Sequence, residues 1–307
     1  MNTTSAVATN LSKPYQVQIR KDIVYGTGAV GARNGQEAIL RELKLDLYQP
    51  ALDAPAHNRP ALVMAFGGAF HRGSKEDDTY GKEPQRNNSV AWYCYEFARR
   101  GYVACSIDYR LVPEDPQPGN TPVTFNPERF PRSRVDVVRQ IMGLPEASDD
   151  MLWRGVEAAS DDMALALRYI KAQSAQWGID PQRLAIGGFS AGARTALNVA
   201  LGEREPVAAV IALSGYMDAQ DIERHTASGQ SFPSLLLISA DNDLDYVVNH
   251  TPDMVARFRA HGVHCEHVQV SKATHFYPAN SPAVHDSRGL TTVECAMTAF
   301  LERAMPA

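Results

Sequence analysis

Only four cysteines occur in 307 residues, Cys94, Cys105, Cys265 and Cys295, widely spaced and without a C-x-x-C pair. That spacing argues against a disulfide framework and against a zinc site, so free thiols in a reducing compartment are expected. The first residues, Met1 to Lys13, carry Asn, Thr and Ser where an export signal needs a basic start and an apolar run. A cytoplasmic location is the expectation, with no membrane span. Basic charge is also missing: 30 Lys and Arg stand against 35 Asp and Glu, interspersed, for a net charge of −5. No basic stripe exists for nucleic acid to bind. Nor is the chain poor in core-forming residues, since 44% are hydrophobic and 21% charged, which excludes a disordered or fibrous protein.

What is present begins with short apolar runs. Tyr15 to Tyr25 and Ala38 to Tyr48 alternate, with Leu43, Leu45 and Leu47 on one face and Lys44, Asp46 and Tyr48 on the other, and predict an antiparallel pair at a sheet edge. The Pro/Ala-rich stretch from Gln49 to Pro60 reads as a surface loop. Ala61 to Phe66 is continuously apolar, as a strand covered on both faces must be. A helix from about Ser89 to Arg100 and a buried strand from Tyr102 to Asp108 follow. From Leu111 to about Ala159 the pattern changes to a Pro-rich loop and a short amphipathic piece around Val135, Val138 and Met142, which reads as an insertion or cap.

Beyond it, Ser160 is a plausible N-cap for a helix with Met163, Ala166, Leu167 and Ile170 on one face. Strands are expected at Leu184 to Phe189, Val207 to Leu213, Ser234 to Ala240 and His264 to Val270. A helix opened by Thr251-Pro252 and a closing helix with Val293, Met297, Phe300 and Leu301 complete the series. Strand and helix alternate from residue 61 onward, so the fold class is α/β. A single domain over residues 1–307 is expected, with a mostly parallel central sheet flanked by helices and a cap at about 111–159.

The chemistry gathers around Gly188-Phe189-Ser190-Ala191-Gly192. A G-x-S-x-G pattern between a strand and a helix is a nucleophile elbow, which exposes a serine hydroxyl on a sharp turn. Such a serine needs a histidine base oriented by a carboxylate, and these partners should follow it in the order acid, then base. His275, just after the last expected strand, is the candidate base, and His285 is the second choice. The acid belongs in Asp241-Asn242-Asp243-Leu244-Asp245. Asp243 is preferred there, with Asp245 as the alternative acid. Gly67 and Gly68, ending the first buried strand, and the amide of Ala191 are assigned to an oxyanion hole.

These residues resemble the α/β-hydrolase superfamily, specifically its carboxylesterase branch related to hormone-sensitive lipases and feruloyl esterases. The resemblance rests on Phe66-Gly67-Gly68-Ala69-Phe70, Asp108-Tyr109-Arg110-Leu111, Trp177-Gly178-Ile179-Asp180-Pro181, the elbow, and the Asp243 and His275 loops, and spans about residues 24 to 304. It departs from the branch at Phe66, where His is usual, and at Phe189, where Asp is usual in hormone-sensitive lipase relatives. The resemblance implies an α/β-hydrolase fold, no metal, no organic cofactor and a small-molecule ester substrate.

The expected function is a serine hydrolase cleaving carboxylic esters through an acyl-enzyme. Two alternatives stand beside it: an amidase or peptidase, for example one like the poly(aspartic acid) hydrolases, and a non-catalytic ligand-binding relative. For an anionic polymer a positive groove is required, and Arg72, Lys75 and Lys82 are its candidates, offset by Glu76, Asp77 and Asp78 beside them. Homodimerisation is compatible with the sequence and not specified by it.

Overall fold

The continuous apolar runs become the inner strands of one ten-stranded sheet in the computed structural model, which describes residues 14–31, 37–51, 57–119, 122–227 and 231–307. The polar tail to Lys13, part of the Pro/Ala-rich loop and two residues of the expected cap lie outside the described residues. In chain order the elements are β1 (Val17–Val30), β2 (Ile39–Pro50), β3 (Arg59–Ala65), α1 (Val90–Arg99), β4 (Val103–Ile107), α2 (Ser133–Ile141), α3 (Asp149–Ala172) and α4 (Ser174–Trp177). Then come β5 (Ile179–Phe189), α5 (Ala191–Leu197), β6 (Ala209–Leu213), α6 (Ala219–Thr226), β7 (Ser234–Asn242), α7 (Asp245–Ala260), β8 (Cys265–Thr274), β9 (Pro282–His285), β10 (Gly289–Thr292) and α8 (Val293–Ala304).

The strands lie in the order β1-β2-β4-β3-β5-β6-β7-β8-β9-β10. From β4 to β8 neighbouring strands are parallel, while β1-β2-β4 at one side and β8-β9-β10 at the other are antiparallel. The expected edge pair is present, in register from Val17↔Pro50 to Val30↔Ile39 with two irregularities. Its polar face is not all solvated. Asp46 is fully buried and takes an ion pair from Lys75 at 2.8 Å. The β9-β10 hairpin was not anticipated, because two strands of four residues each are too short for an alternation to be told from chance.

Two helices begin earlier than their sequence signals suggest. α3 starts at Asp149, capped by the Ser148 hydroxyl accepting from the Met151 N–H, with Asp149 and Asp150 on the positive end of the helix dipole. Ser160 instead sits mid-helix, donating to the Val156 carbonyl at 2.9 Å and accepting from the Asn198 amide at 3.1 Å. Likewise α7 starts at Asp245, and Thr251-Pro252 falls inside it, where the Thr251 hydroxyl donates to the Val247 carbonyl at 2.7 Å. A mid-helix Ser or Thr can satisfy itself on the carbonyl one turn back, which is why the cap signal misleads.

The Asp108-Tyr109-Arg110 stretch after β4 ties the sheet to its surroundings. The Tyr109 hydroxyl donates to the Phe66 carbonyl at 2.8 Å, and the Tyr109 ring stacks on Phe66 at 4.2 Å. Arg110 is buried against Asp162 of α3, with three guanidinium contacts at 2.7–3.0 Å. Phe66 therefore fills a buried aromatic seat under the loop that follows β3. Six consecutive parallel strands, β4, β3, β5, β6, β7 and β8, deliver their carboxyl ends to one rim, and every residue of the site described next comes from a segment leaving that rim.

Candidate active site

Ser190 follows β5 directly, with φ 54° and ψ −110°, and its N–H donates to the Leu213 carbonyl at 2.7 Å. A non-glycine residue at positive φ costs energy, and such strain persists only where the surroundings over-determine it. The flanking glycines explain how. A Cβ on Gly188 would stand 2.5 Å from the Ala65 carbonyl oxygen, and one on Gly192 would stand 2.0 Å from it. The elbow thus crosses β3 at backbone contact. Gly192→Ala is expected to cost about 3 kcal/mol of stability, read as a lower urea midpoint, because the neighbour is backbone and cannot rotate away. An unchanged midpoint would disprove the close crossing.

From Ser190 a chain of polar contacts runs inward. The Ser190 hydroxyl lies 2.9 Å from His275 Nε2, and His275 Nδ1 lies 2.5 Å from Asp243 Oδ1. His275 leaves the end of β8 and is buried, while Ser190 is half-buried. Asp243 leaves the end of β7. Its Oδ1 also accepts from the Leu244 N–H at 2.8 Å, and its Oδ2 accepts from the Ser214 hydroxyl at 2.5 Å and the Ala240 N–H at 3.1 Å. Burial alone would raise the Asp243 pKa, but the hydrogen bond and charge of His275, with the Ser214 and Leu244 donors, hold it below the usual carboxylate value.

The competing residues lie elsewhere. Asp241 is exposed and accepts from the Lys272 N–H at 2.8 Å, and Asp245 is exposed in the first turn of α7. His285, on β9 near the sheet edge, is paired with Glu266 at 2.7 Å. Ser214, at the end of β6, was missed, although the logic that singled out the other strand ends applies equally to it. Its hydroxyl also lies 3.0 Å from that of Tyr277.

The loop after β3 corrects one assignment. The Gly67 N–H donates to Asp78 Oδ2 at 2.9 Å, so this amide is already engaged and does not face a substrate. Asp78 is buried, holds the Val90 N–H as well, and burial pushes its carboxyl up to about 6 although both amides favour the anion. The amides of Gly68, Ala69 and Ala191 have no acceptor among the described residues, and Ala69 and Ala191 line the cavity that opens on Ser190. Gly68 has φ +124°, and a Cβ there would meet the Arg72 carbonyl oxygen at 2.0 Å, so only glycine fits. The loop is braced by buried His71, whose Nδ1–H donates to the Ala69 carbonyl at 2.6 Å while Nε2 accepts from Arg139 of α2 at 3.0 Å.

Phe189 packs beside His275. Its ring lies 5.3 Å from the His275 imidazole, 6.1 Å from Phe276 and 5.9 Å from Tyr277, an apolar setting in place of the aspartate usual in the hormone-sensitive lipase relatives. One wall of the cavity comes from the 111–159 segment, through Phe130, Pro131, Arg134 and Val135. Of the three cations considered for a positive groove, Lys75 is buried and shared between Asp46 and Asp22. Lys82 is exposed in its loop and does not line the cavity. Arg72 lies over Tyr80, a neighbour of Phe276. Among the described residues no group of three or more His, Cys, Asp or Glu is placed to hold a metal ion, and no helix is long and apolar enough to cross a membrane. Cys94, Cys105 and Cys265 are buried free thiols, and Cys295 is an exposed one.

Comparison with known proteins follows the same lines. A family model described as alpha/beta hydrolase fold matches residues 154–233, the segment from α3 through the elbow to β7. No curated protein sequence matches the chain. Among solved structures, esterase 2 of Thermogutta terrifontis phosphoramylated by tabun is 20% identical, aligns over 98% of this chain and 95% of its own, and has a TM-score of 0.55. The same protein in native form is 21% identical over 96% and 93%, with a TM-score of 0.53. The strand order, the elbow and these likenesses together show that the chain has the α/β-hydrolase fold.

Proposed function

We propose that the protein is a serine hydrolase that cleaves carboxylic esters through an acyl-enzyme intermediate. The observation that carries this reading is the unbroken contact path from Ser190 through His275 to Asp243, at 2.9 and 2.5 Å. Ser190 Oγ attacks the ester carbonyl as its proton passes to His275 Nε2. Asp243 holds the other ring nitrogen protonated and stabilises the imidazolium that forms. The amides of Gly68, Ala69 and Ala191, which no acceptor among the described residues engages, stabilise the oxyanion. The imidazolium then gives its proton to the departing alcohol, and a water activated by His275 releases the acid.

The carboxylesterase branch fits this chemistry. The Thermogutta terrifontis enzyme is called an esterase and is described as phosphorylated by paraoxon, which is the behaviour of an activated serine. The wall supplied by Phe130 to Val135 supports reading the expected 111–159 segment as a cap within a single domain over 1–307, above a site for a small-molecule ester, with its end corrected to Ser148 because α3 already runs from Asp149. A fluorophosphonate probe tests the proposal against a non-catalytic, ligand-binding role. One label per chain at Ser190, absent from Ser190→Ala, is expected. Absence of labelling on the folded protein would remove Ser190 as a nucleophile.

A further inference from the structure

Arg134, in the first turn of α2, lines the cavity that opens on Ser190. Its guanidinium lies 5.2 Å from the centre of the Phe276 ring, and that ring lies 5.1 Å from the His275 imidazole. Arg72, from the loop after β3, stands 4.7 Å over Tyr80, whose ring is 5.7 Å from Phe276. Two cations from separate elements therefore bracket one aromatic cluster beside the base. Among the described residues neither guanidinium makes an ion pair with a carboxylate, and the Nε of Arg72 is buried with no hydrogen-bond partner. The arginines around them are matched: Arg194 to Asp221, Arg129 to Asp218, Arg132 to Asp149.

In a chain with net charge −5, unpaired cations at one site are not a by-product of general basicity. A partly desolvated guanidinium without a counterion is costly, and a second one nearby adds repulsion. Burial, then the Arg72 charge, lower the Arg134 pKa, opposed only by the phenols of Tyr246 and Tyr80. Aromatic faces offset part of that cost. A carboxylate bound at Arg134, which lines the cavity, would offset far more, because Arg presents paired donors matched to it, and the Arg72 charge outside the lining would add to the attraction.

We propose that Arg134, with the Arg72 charge nearby, forms an anion-recognition site, and that the preferred substrate is an ester carrying a carboxylate a few bonds from the scissile group. The inference rests on the ester-hydrolase reading of Ser190. The carboxylate can belong to the acid or to the alcohol half of the ester, and two matched pairs separate these. p-Nitrophenyl butyrate against p-nitrophenyl hemisuccinate places it on the acyl side, and phenyl acetate against 4-acetoxybenzoate places it on the leaving group. In at least one pair kcat/KM should favour the anionic ester by about tenfold or more at low ionic strength, the scale of one charge-assisted pair. About 0.5 M salt should shrink that preference. Arg134→Gln should collapse the ratio, Arg134→Lys should keep part of it, and Arg72→Gln should reduce it.

Equal or lower kcat/KM for the anionic ester in both pairs overturns the proposal, as does an undiminished ratio in Arg134→Gln. If the Gln variant does not fold, the wild-type ratio and the Lys variant decide. Neutral esters hydrolysed in a Ser190-dependent way without any anionic preference would sink this inference alone. Failure to hydrolyse all four esters, with no fluorophosphonate label, would sink the underlying reading with it.

Discussion

Ser190→Ala lowers kcat for a short-chain aryl ester by roughly 10⁴- to 10⁶-fold, the loss seen when a hydrolase nucleophile is removed, and leaves the thermal midpoint close to that of the wild type. Both halves of this expectation follow from the local geometry. The substitution deletes one oxygen, whose polar contact is His275 Nε2 at 2.9 Å. The contact that shapes the turn, from the Ser190 N–H to the Leu213 carbonyl, belongs to the backbone and stays. Alanine tolerates the positive φ about as well as serine, so the elbow is not relieved or further strained. The amides of Gly68, Ala69 and Ala191 remain, and with substrate positioning they account for the residual rate. Steady-state hydrolysis of a p-nitrophenyl ester, with a thermal melt on the same sample, checks both. Activity above about one per cent of wild type would mean that another group attacks the ester.

The second large effect lies at Asp243. Asp243→Asn is expected to reduce kcat by roughly 10⁴-fold with a much smaller change in KM. All four contacts around this carboxylate are donors: His275 Nδ1–H and the Leu244 N–H to one oxygen, the Ser214 hydroxyl and the Ala240 N–H to the other. An amide offers one oxygen and one NH₂. If the NH₂ faces His275, the imidazole must carry its proton on Nε2 and can no longer accept one from Ser190. If it faces Ala240, donor opposes donor in a buried place, at a cost on the order of 1–3 kcal/mol. In either orientation the fixed negative charge that stabilises imidazolium is gone. Asp245→Asn is the matched control, because Asp245 is exposed at the start of α7 and should cost only a few tenths of a kcal/mol of helix stability. Comparable losses of activity in both variants would contradict the assignment of the acid.

How far the site is legible depends on the range of the forces that shape it. The elbow could be read from five residues because its constraint is local: a side chain at Gly188 or Gly192 collides with the strand beside it wherever that strand lies in the sequence. The inner strands were legible for a related reason. A strand covered on both faces has to be apolar throughout, and Ala61 to Phe66 is. Helix starts were less legible, since Ser160 and Thr251 resemble caps and yet satisfy their hydroxyls one turn back inside longer helices. The β9-β10 hairpin is too short, at four residues a strand, for its alternation to be read.

By itself, then, the sequence determined the parallel α/β core, the position of Ser190, and the chain order that makes a later Asp and His its partners. Those features are written in steric and hydrophobic patterns that span a few residues each. Only the tertiary structure decided which of three carboxylates within five residues meets His275, because the irregular pairing of β7 with β8 beyond Ala240 sets where that loop turns. The free amides were settled the same way, through Asp78, which reaches back to engage Gly67. The unpaired state of Arg72 and Arg134 is likewise invisible in a sequence where Glu76, Asp77 and Asp78 stand beside one and Asp136 beside the other. Whether a charge is matched depends on distances of a few ångströms between segments far apart in the chain, and local patterning carries no information about those distances.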